Sequence, residues 1–129
     1  MERDERVQEY LESAEKWLLA AKSLPKESSE PAAFNALHAV ELAAKAALIA
    51  ETGGEYKTHN IGGEFGKHFK VKAGKDICRE LNKKMMEYNK IRYPEEHVEE
   101  NEAKEIVSFS TNFLETVKNL IEDLNIDSD

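Results

Sequence analysis

The chain has 129 residues, 40% of them apolar and 34% charged, with a formal net charge of −8. That length can bury one hydrophobic core, so residues 1–129 are expected to form a single domain that needs neither disulfide nor metal. One cysteine, Cys78, excludes an intramolecular disulfide and a thiolate metal cage. The acidic start MERDERVQEY lacks a signal-peptide pattern, and apolar runs stay short of a membrane span, so a cytoplasmic protein is expected.

In chain order, Val7, Tyr10, Leu11, Ala14, Trp17, Leu18, Ala21 and Leu24 recur at steps of three and four, which predicts a helix over 2–24. PKESSEP reads as a loop in which Ser29 suits an N-cap and Pro31 the first helical turn. Ala32 to Thr52 is a strong helix former stopped by Gly53-Gly54. Its alanines (Ala36, Ala39, Ala43, Ala44, Ala46, Ala47, Ala50) let another helix approach closely, within the bundle or across a dimer. Thr58 or Asn60 suits the cap of a short helix through Phe69, weakened by Gly62, Gly63 and Gly66.

A further helix over 75–91 should carry Ile77, Cys78, Leu81, Met85, Tyr88 and Ile91 inward. Pro94 ends it, because the residue before a proline is pushed out of the helical region. The last helix is expected to start near Val98, with a long stripe from Ala103 through Ile106, Ser110, Phe113 and Val117 to Leu124. No segment alternates as a strand does. The fold predicted is all-α, an antiparallel up-and-down helical bundle of four long helices plus one short helix, with Trp17 and Phe113 losing most of their exposure.

Charge is unevenly spread. Residues 57–92 hold ten Lys or Arg against four Asp or Glu, a balance of +6, while the remainder holds 8 basic and 22 acidic residues, or −14. Fields are screened over about 8–10 Å, so an acidic protein with one basic segment can attract phosphate locally. A solvated helix face accounts for the same lysines.

Several stretches together resemble one family. They are WLLAAKSL (Trp17–Leu24), the pattern Glu41-x-x-x-Lys45-Ala46-x-Leu48 closed by Gly53, THNI (Thr58–Ile61), Phe69, and YNKIRYPE (Tyr88–Glu95) before a long final helix. In that order and spacing they resemble the HEPN domains (higher eukaryotes and prokaryotes nucleotide-binding) over nearly the whole chain. The resemblance implies an up-and-down helical bundle that forms a homodimer. It also implies a minimal nucleotidyltransferase as partner, since many small prokaryotic members sit beside one and some are the toxin of a toxin–antitoxin pair. Ribonuclease members carry an arginine, four to six residues, then a histidine, and Arg92-Tyr-Pro-Glu-Glu-His97 fits that spacing. Two departures stand out: Tyr93-Pro94 follows the arginine where a small polar residue is frequent, and Glu99 occupies the place of the tyrosine that modified toxins carry. By this resemblance Arg92 and His97 are the catalytic candidates. Glu41, Lys45, Lys83, Lys90 and Tyr93 are candidates for holding RNA or a nucleotide. Neither metal nor cofactor is expected, and no membrane.

The chemistry of that pair can be stated. Positions five apart on an unbroken helix lie about 140° apart and diverge; a break at Tyr93-Pro94 would let both side chains face one accessible cleft near a dimer axis. Cleaving RNA without metal needs a base, an acid and cationic stabilisation of the phosphorane. A histidine serves as base or acid, and a guanidinium grips phosphate oxygens in pairs. A twofold axis could supply a second histidine.

The same residues fit helix ends equally well. Arg92 complements the negative end of one helix, and Glu95, Glu96, Glu99, Glu100 and Glu102 suit the positive start of the next while repelling a phosphodiester. Two functions stay open: a metal-independent endoribonuclease, and a non-catalytic nucleotide- or protein-binding module. Elsewhere His59 and His68 suit capping or surface roles, His38 a packed or interface position, and Glu41–Lys45 a helix salt bridge. Trp17, Met85 and Met86 read as core or interface.

Overall fold

The computed structural model describes residues 3–56, 60–91 and 96–127, which form five α-helices and, among these residues, no strand. They are α1 (Arg3–Ser23), α2 (Ser29–Thr52), α3 (Ile61–Ala73), α4 (Lys75–Lys90) and α5 (Glu100–Asp127). Arg6 of α1 donates to the carbonyls of Gly53 and Gly54 just past α2, so α1 and α2 are antiparallel. Glu30, near the start of α2, accepts from the amide of Val98 just before α5, so those two helices start at one end and run parallel. α3 and α4 are joined by Gly74 alone and fold into a hairpin, and Tyr88 near the end of α4 meets His38 in the first half of α2. The long helices therefore alternate in direction as α1, α2, α4 and α5, with α3 as the short one.

α2 is the axis of the bundle. Eleven of its apolar side chains, from Ala33 to Ile49, are at most 3% exposed. They include Ala36, Ala39, Ala43, Ala44, Ala46 and Ala47, so the alanine surface is consumed by neighbours within the chain and offers nothing to a second copy. By length and composition α2 does reach what a membrane span needs, with a mean hydropathy of 1.3, contrary to the expectation from run length. But 61% of that window is buried against protein. The helix ends at Gly53, whose φ of 74° is left-handed and whose amide returns to the Ile49 carbonyl. Its last turn holds no basic residue. The positive charge that suits a helix C-terminus comes instead from α1, through Arg3 on the Ala50 carbonyl and Arg6 beyond it.

An aromatic cluster fills the core where α3 meets α5. Phe65 and Phe69 of α3 and Phe113 of α5 are fully buried, with ring centroids 4.9 Å (Phe65–Phe69) and 5.2 Å (Phe65–Phe113) apart. α3 lies against α4 closely because Gly62 has no Cβ, which would otherwise meet the Asn82 side chain.

Several expectations need correction. The residue capping α2 is Ser28, while the Ser29 hydroxyl turns back to the Lys26 carbonyl. α3 continues four residues past Phe69 because Lys70 to Ala73 extend the helix until Gly74 stops it. α5 begins at Glu100; Val98 is buried, but ahead of the helix. Met85 is buried and Met86 is 64% exposed, since neighbours on a helix point about 100° apart. Trp17 does lose most of its exposure, as expected, but keeps 37%. It sits at the edge of α1 that faces an uncovered strip of α2, with its ring edge-on to His38 at 4.7 Å.

Candidate functional site

That strip gathers four polar side chains of the core helix on one face. Glu30, Phe34, His38, Glu41 and Lys45 follow one another by four, four, three and four residues, which confines them to a sector of about 80° on an α-helix. All five are partly buried. His38 Nδ1 and the Tyr88 hydroxyl share a hydrogen bond of 2.8 Å, and the Phe34 ring packs beside both rings. Two turns further on, Lys45 Nζ donates to Glu41 at 3.0 Å, the side chains being 15% and 20% exposed. α1 contributes Trp17 to this strip, and α4 contributes Tyr88.

His97 stands at the other end of the strip. Its side chain is 72% exposed, with Glu30 Oε2 3.5 Å from Nδ1 and Glu99 Oε1 3.2 Å from Nε2. The same Glu30 oxygen accepts the Val98 amide at 2.9 Å. One carboxylate on the core helix thus fixes the backbone beside His97 and faces its ring. A carboxylate facing one nitrogen of an imidazole orients the ring and leaves the other for proton exchange; here that other nitrogen faces Glu99, which is well exposed.

On α4 the two faces differ sharply. Lys84 is 4% exposed. It donates to Glu80 at 2.8 Å, lies 3.7 Å from Glu87, and sits 5.8 Å from the centre of the Phe109 ring on α5. Burial works against its charge, but the Glu80 hydrogen bond and the Glu87, Glu80 and Glu105 carboxylates outweigh it and hold the amine above its ordinary 10.5. Lys83 and Lys90 lie on the opposite, exposed face. Burial pushes the Cys78 thiol above its ordinary 9.0, with Lys70 pulling the other way.

The predicted residues therefore occupy three places. Glu41 and Lys45 are on the α2 strip, Lys83 and Lys90 on the outside of α4, and His97 at the entry to α5. From Glu30, which marks His97, the Glu41–Lys45 pair lies about 16–22 Å along α2 at 1.5 Å per residue, too far for one phosphate to touch both. Arg92 and Tyr93 lie outside the described residues, as do Pro94, Thr58 and His59. The helices do stop on either side of that segment, at Lys90 and at Glu100. Sequence reading missed Glu30 and the His38–Tyr88 bond. The signal for the strip was present, since Glu30, His38, Glu41 and Lys45 are polar residues on one face of a largely apolar helix. The Val98–Glu30 bond joins residues 68 apart in sequence and left no such trace.

No curated protein matches the chain. A family model described as HEPN domain matches residues 7–120, from the second turn of α1 to the last turns of α5, which is most of the chain. With that match over an all-helical bundle, this chain belongs to the HEPN domain family.

Proposed function

We propose that this HEPN protein is a metal-independent endoribonuclease, the toxin-like half of a cytoplasmic two-component system with a minimal nucleotidyltransferase. Family membership supports a nucleotide-binding or RNase-like module. The observation that carries the finer reading is His97, an exposed imidazole between two carboxylates, one of them anchored on the core helix. In the proposed step the 2′-oxygen of a ribose attacks the adjacent phosphorus as a base takes its proton. The bond to the 5′-oxygen breaks as an acid protonates the leaving group, giving a 2′,3′-cyclic phosphate and a 5′-hydroxyl. His97 is one of these two groups. Arg92 neutralises the phosphorane through its paired N–H donors. A homodimer would bring a second His97 for the other proton; its interface must come from a surface other than the buried alanines of α2.

The test is RNA cleavage by the purified protein in EDTA. His97→Ala should abolish it with little change in melting temperature, and Arg92→Lys should reduce it because the planar fork is lost. Wild type that cleaves no RNA, or both variants cleaving as wild type does, refutes the reading.

A second reading, a non-catalytic nucleotide-binding module, is favoured by the α2 strip, where a shielded Glu41–Lys45 pair lies beyond the Trp17–His38–Tyr88 group. Nucleotide titration followed by fluorescence of Trp17, the sole tryptophan, tests it. The quench should vanish in Lys45→Met, and an unaltered quench there rejects the strip as the site.

A further inference from the structure

We infer that the outer face of the α3–α4 hairpin is a sequence-indifferent binding track for the phosphodiester backbone of single-stranded nucleic acid, a site separate from His97 that deepens the RNA reading and rests on it. The track begins in a groove of about 320 Å³ lined by Gly66, Lys70, Lys75, Cys78, Arg79 and Asn82. Lys70 and Lys75 are exposed and enter no ion pair among the described residues. Arg79 has one weak partner, Asp76 at 3.8 Å, and both side chains are largely in water, so that contact contributes little.

From the groove, Arg79, Lys83 and Lys90 continue along α4 at steps of four and seven. They fall within a sector of about 40° and span about 16 Å of helix. Met86, 64% exposed, stands in the same row and offers an apolar contact. Of the acidic residues beside this row Asp76 remains, largely in water next to Arg79, but two glutamates are drawn off it. Glu80 and Glu87 both reach to Lys84 on the α5 side of the helix. The buried lysine therefore keeps α4's outer face positive in a protein whose net charge is −8.

An extended row of cations suits a chain of phosphates better than one nucleotide, which a closed cavity would hold. The row ends at Lys90, at the end of α4 that Tyr88 ties to His38 in the first half of α2, the half that also carries Glu30 beside His97. A strand laid along it would be delivered to that end of the bundle.

The probe is a fluorescent 12-residue oligodeoxythymidylate, which lacks the 2′-hydroxyl and so cannot be cleaved by the proposed step. Anisotropy is read from about 50 to 300 mM KCl. Single-stranded contacts contribute a slope of about −0.7 in log K against log salt for each phosphate neutralised. Lys70→Ser/Arg79→Ser/Lys83→Ser should bind at least about tenfold more weakly at low salt, with a slope shallower by about 2. Lys22→Ser/Lys26→Ser, at the α1–α2 turn and outside the hairpin, should leave both values unchanged, and circular dichroism establishes that each variant is folded. An unchanged slope in the triple variant, no binding by wild type, or competition by inorganic phosphate at concentrations equal to those of the probe's phosphates overturns the track. So does stronger binding to phosphatidylglycerol vesicles or to polyglutamate through the same residues, which would assign the face to a membrane or an acidic protein. EDTA-resistant cleavage assayed alongside separates the two claims. Cleavage with an unchanged slope sinks the track and leaves the nuclease, whereas salt-dependent binding without cleavage sinks the nuclease and leaves the track.

Discussion

Replacing Lys84 by methionine and, separately, by alanine distinguishes what the buried charge does from what its stem does. The ammonium lies 2.8 Å from Glu80 and 3.7 Å from Glu87, whose side chains remain 37% and 45% exposed. When the lysine is removed those carboxylates return to water and are not stranded. Methionine forgoes two helix ion pairs of about 0.3–0.5 kcal/mol each and a cation–π contact of about 0.5–1 kcal/mol. Against that, no ammonium need be desolvated, and a thioether packs well on the Phe109 ring. Lys84→Met should therefore stay within about 1 kcal/mol of wild type. Alanine also deletes three methylenes at about 0.8 kcal/mol each, so Lys84→Ala should cost about 2–3 kcal/mol. In urea, with m of about 2 kcal/mol/M, the midpoint falls by about 1–1.5 M for alanine and by at most about 0.5 M for methionine. If methionine falls as far as alanine, the charge itself holds α4 to α5 and this reasoning fails. Lys84→Met should still weaken binding of the oligodeoxythymidylate, because Glu80 and Glu87 would no longer be neutralised.

Other outcomes follow from the same contacts. The Glu80 carboxyl is held below its ordinary 4.5, chiefly by the hydrogen bond from Lys84; its contribution is present above 4.5 and lost as pH falls through the lower folded value. The stability difference between wild type and Lys84→Met should therefore shift towards the methionine variant in denaturant titrations below pH 4.5, and a difference flat across that range contradicts the pairing. Phe65→Ala empties the point where α3 meets Phe113 and should cost about 3–5 kcal/mol; a melting temperature lowered by only a degree or two would show that the core is not close-packed there. Glu30→Ala removes the acceptor of the Val98 amide and should cost about 1 kcal/mol, while Glu30→Gln restores that bond without the charge. If Glu30 positions His97, kcat for RNA cleavage falls in both variants with KM unchanged; full rescue by glutamine shows that its charge plays no part.

Helix class, number and most boundaries were legible in the chain because each depends on near neighbours. Steps of three and four marked the buried stripes of α1, α4 and α5, Gly53 stopped α2, and the breaks at Lys90 and Glu100 bracket Pro94. The family was legible too, since its motifs are local phrases in a fixed order. What periodicity could not assign was which helix covers which. An alanine-rich α2 is compatible with a membrane, a dimer or a core, and only the packing of α1 and α5 around it selects the core. The same packing leaves the strip from Glu30 to Lys45 partly open and exposes Trp17 along it. Glu41 and His97, candidates for different roles from sequence, lie far apart, because His97 stands beside Glu30 and about three turns of helix separate Glu30 from Glu41. Lys84 illustrates the limit most simply. In sequence it is one of the ten basic residues of 57–92, and nothing local marks it as the one that meets the Phe109 ring of α5.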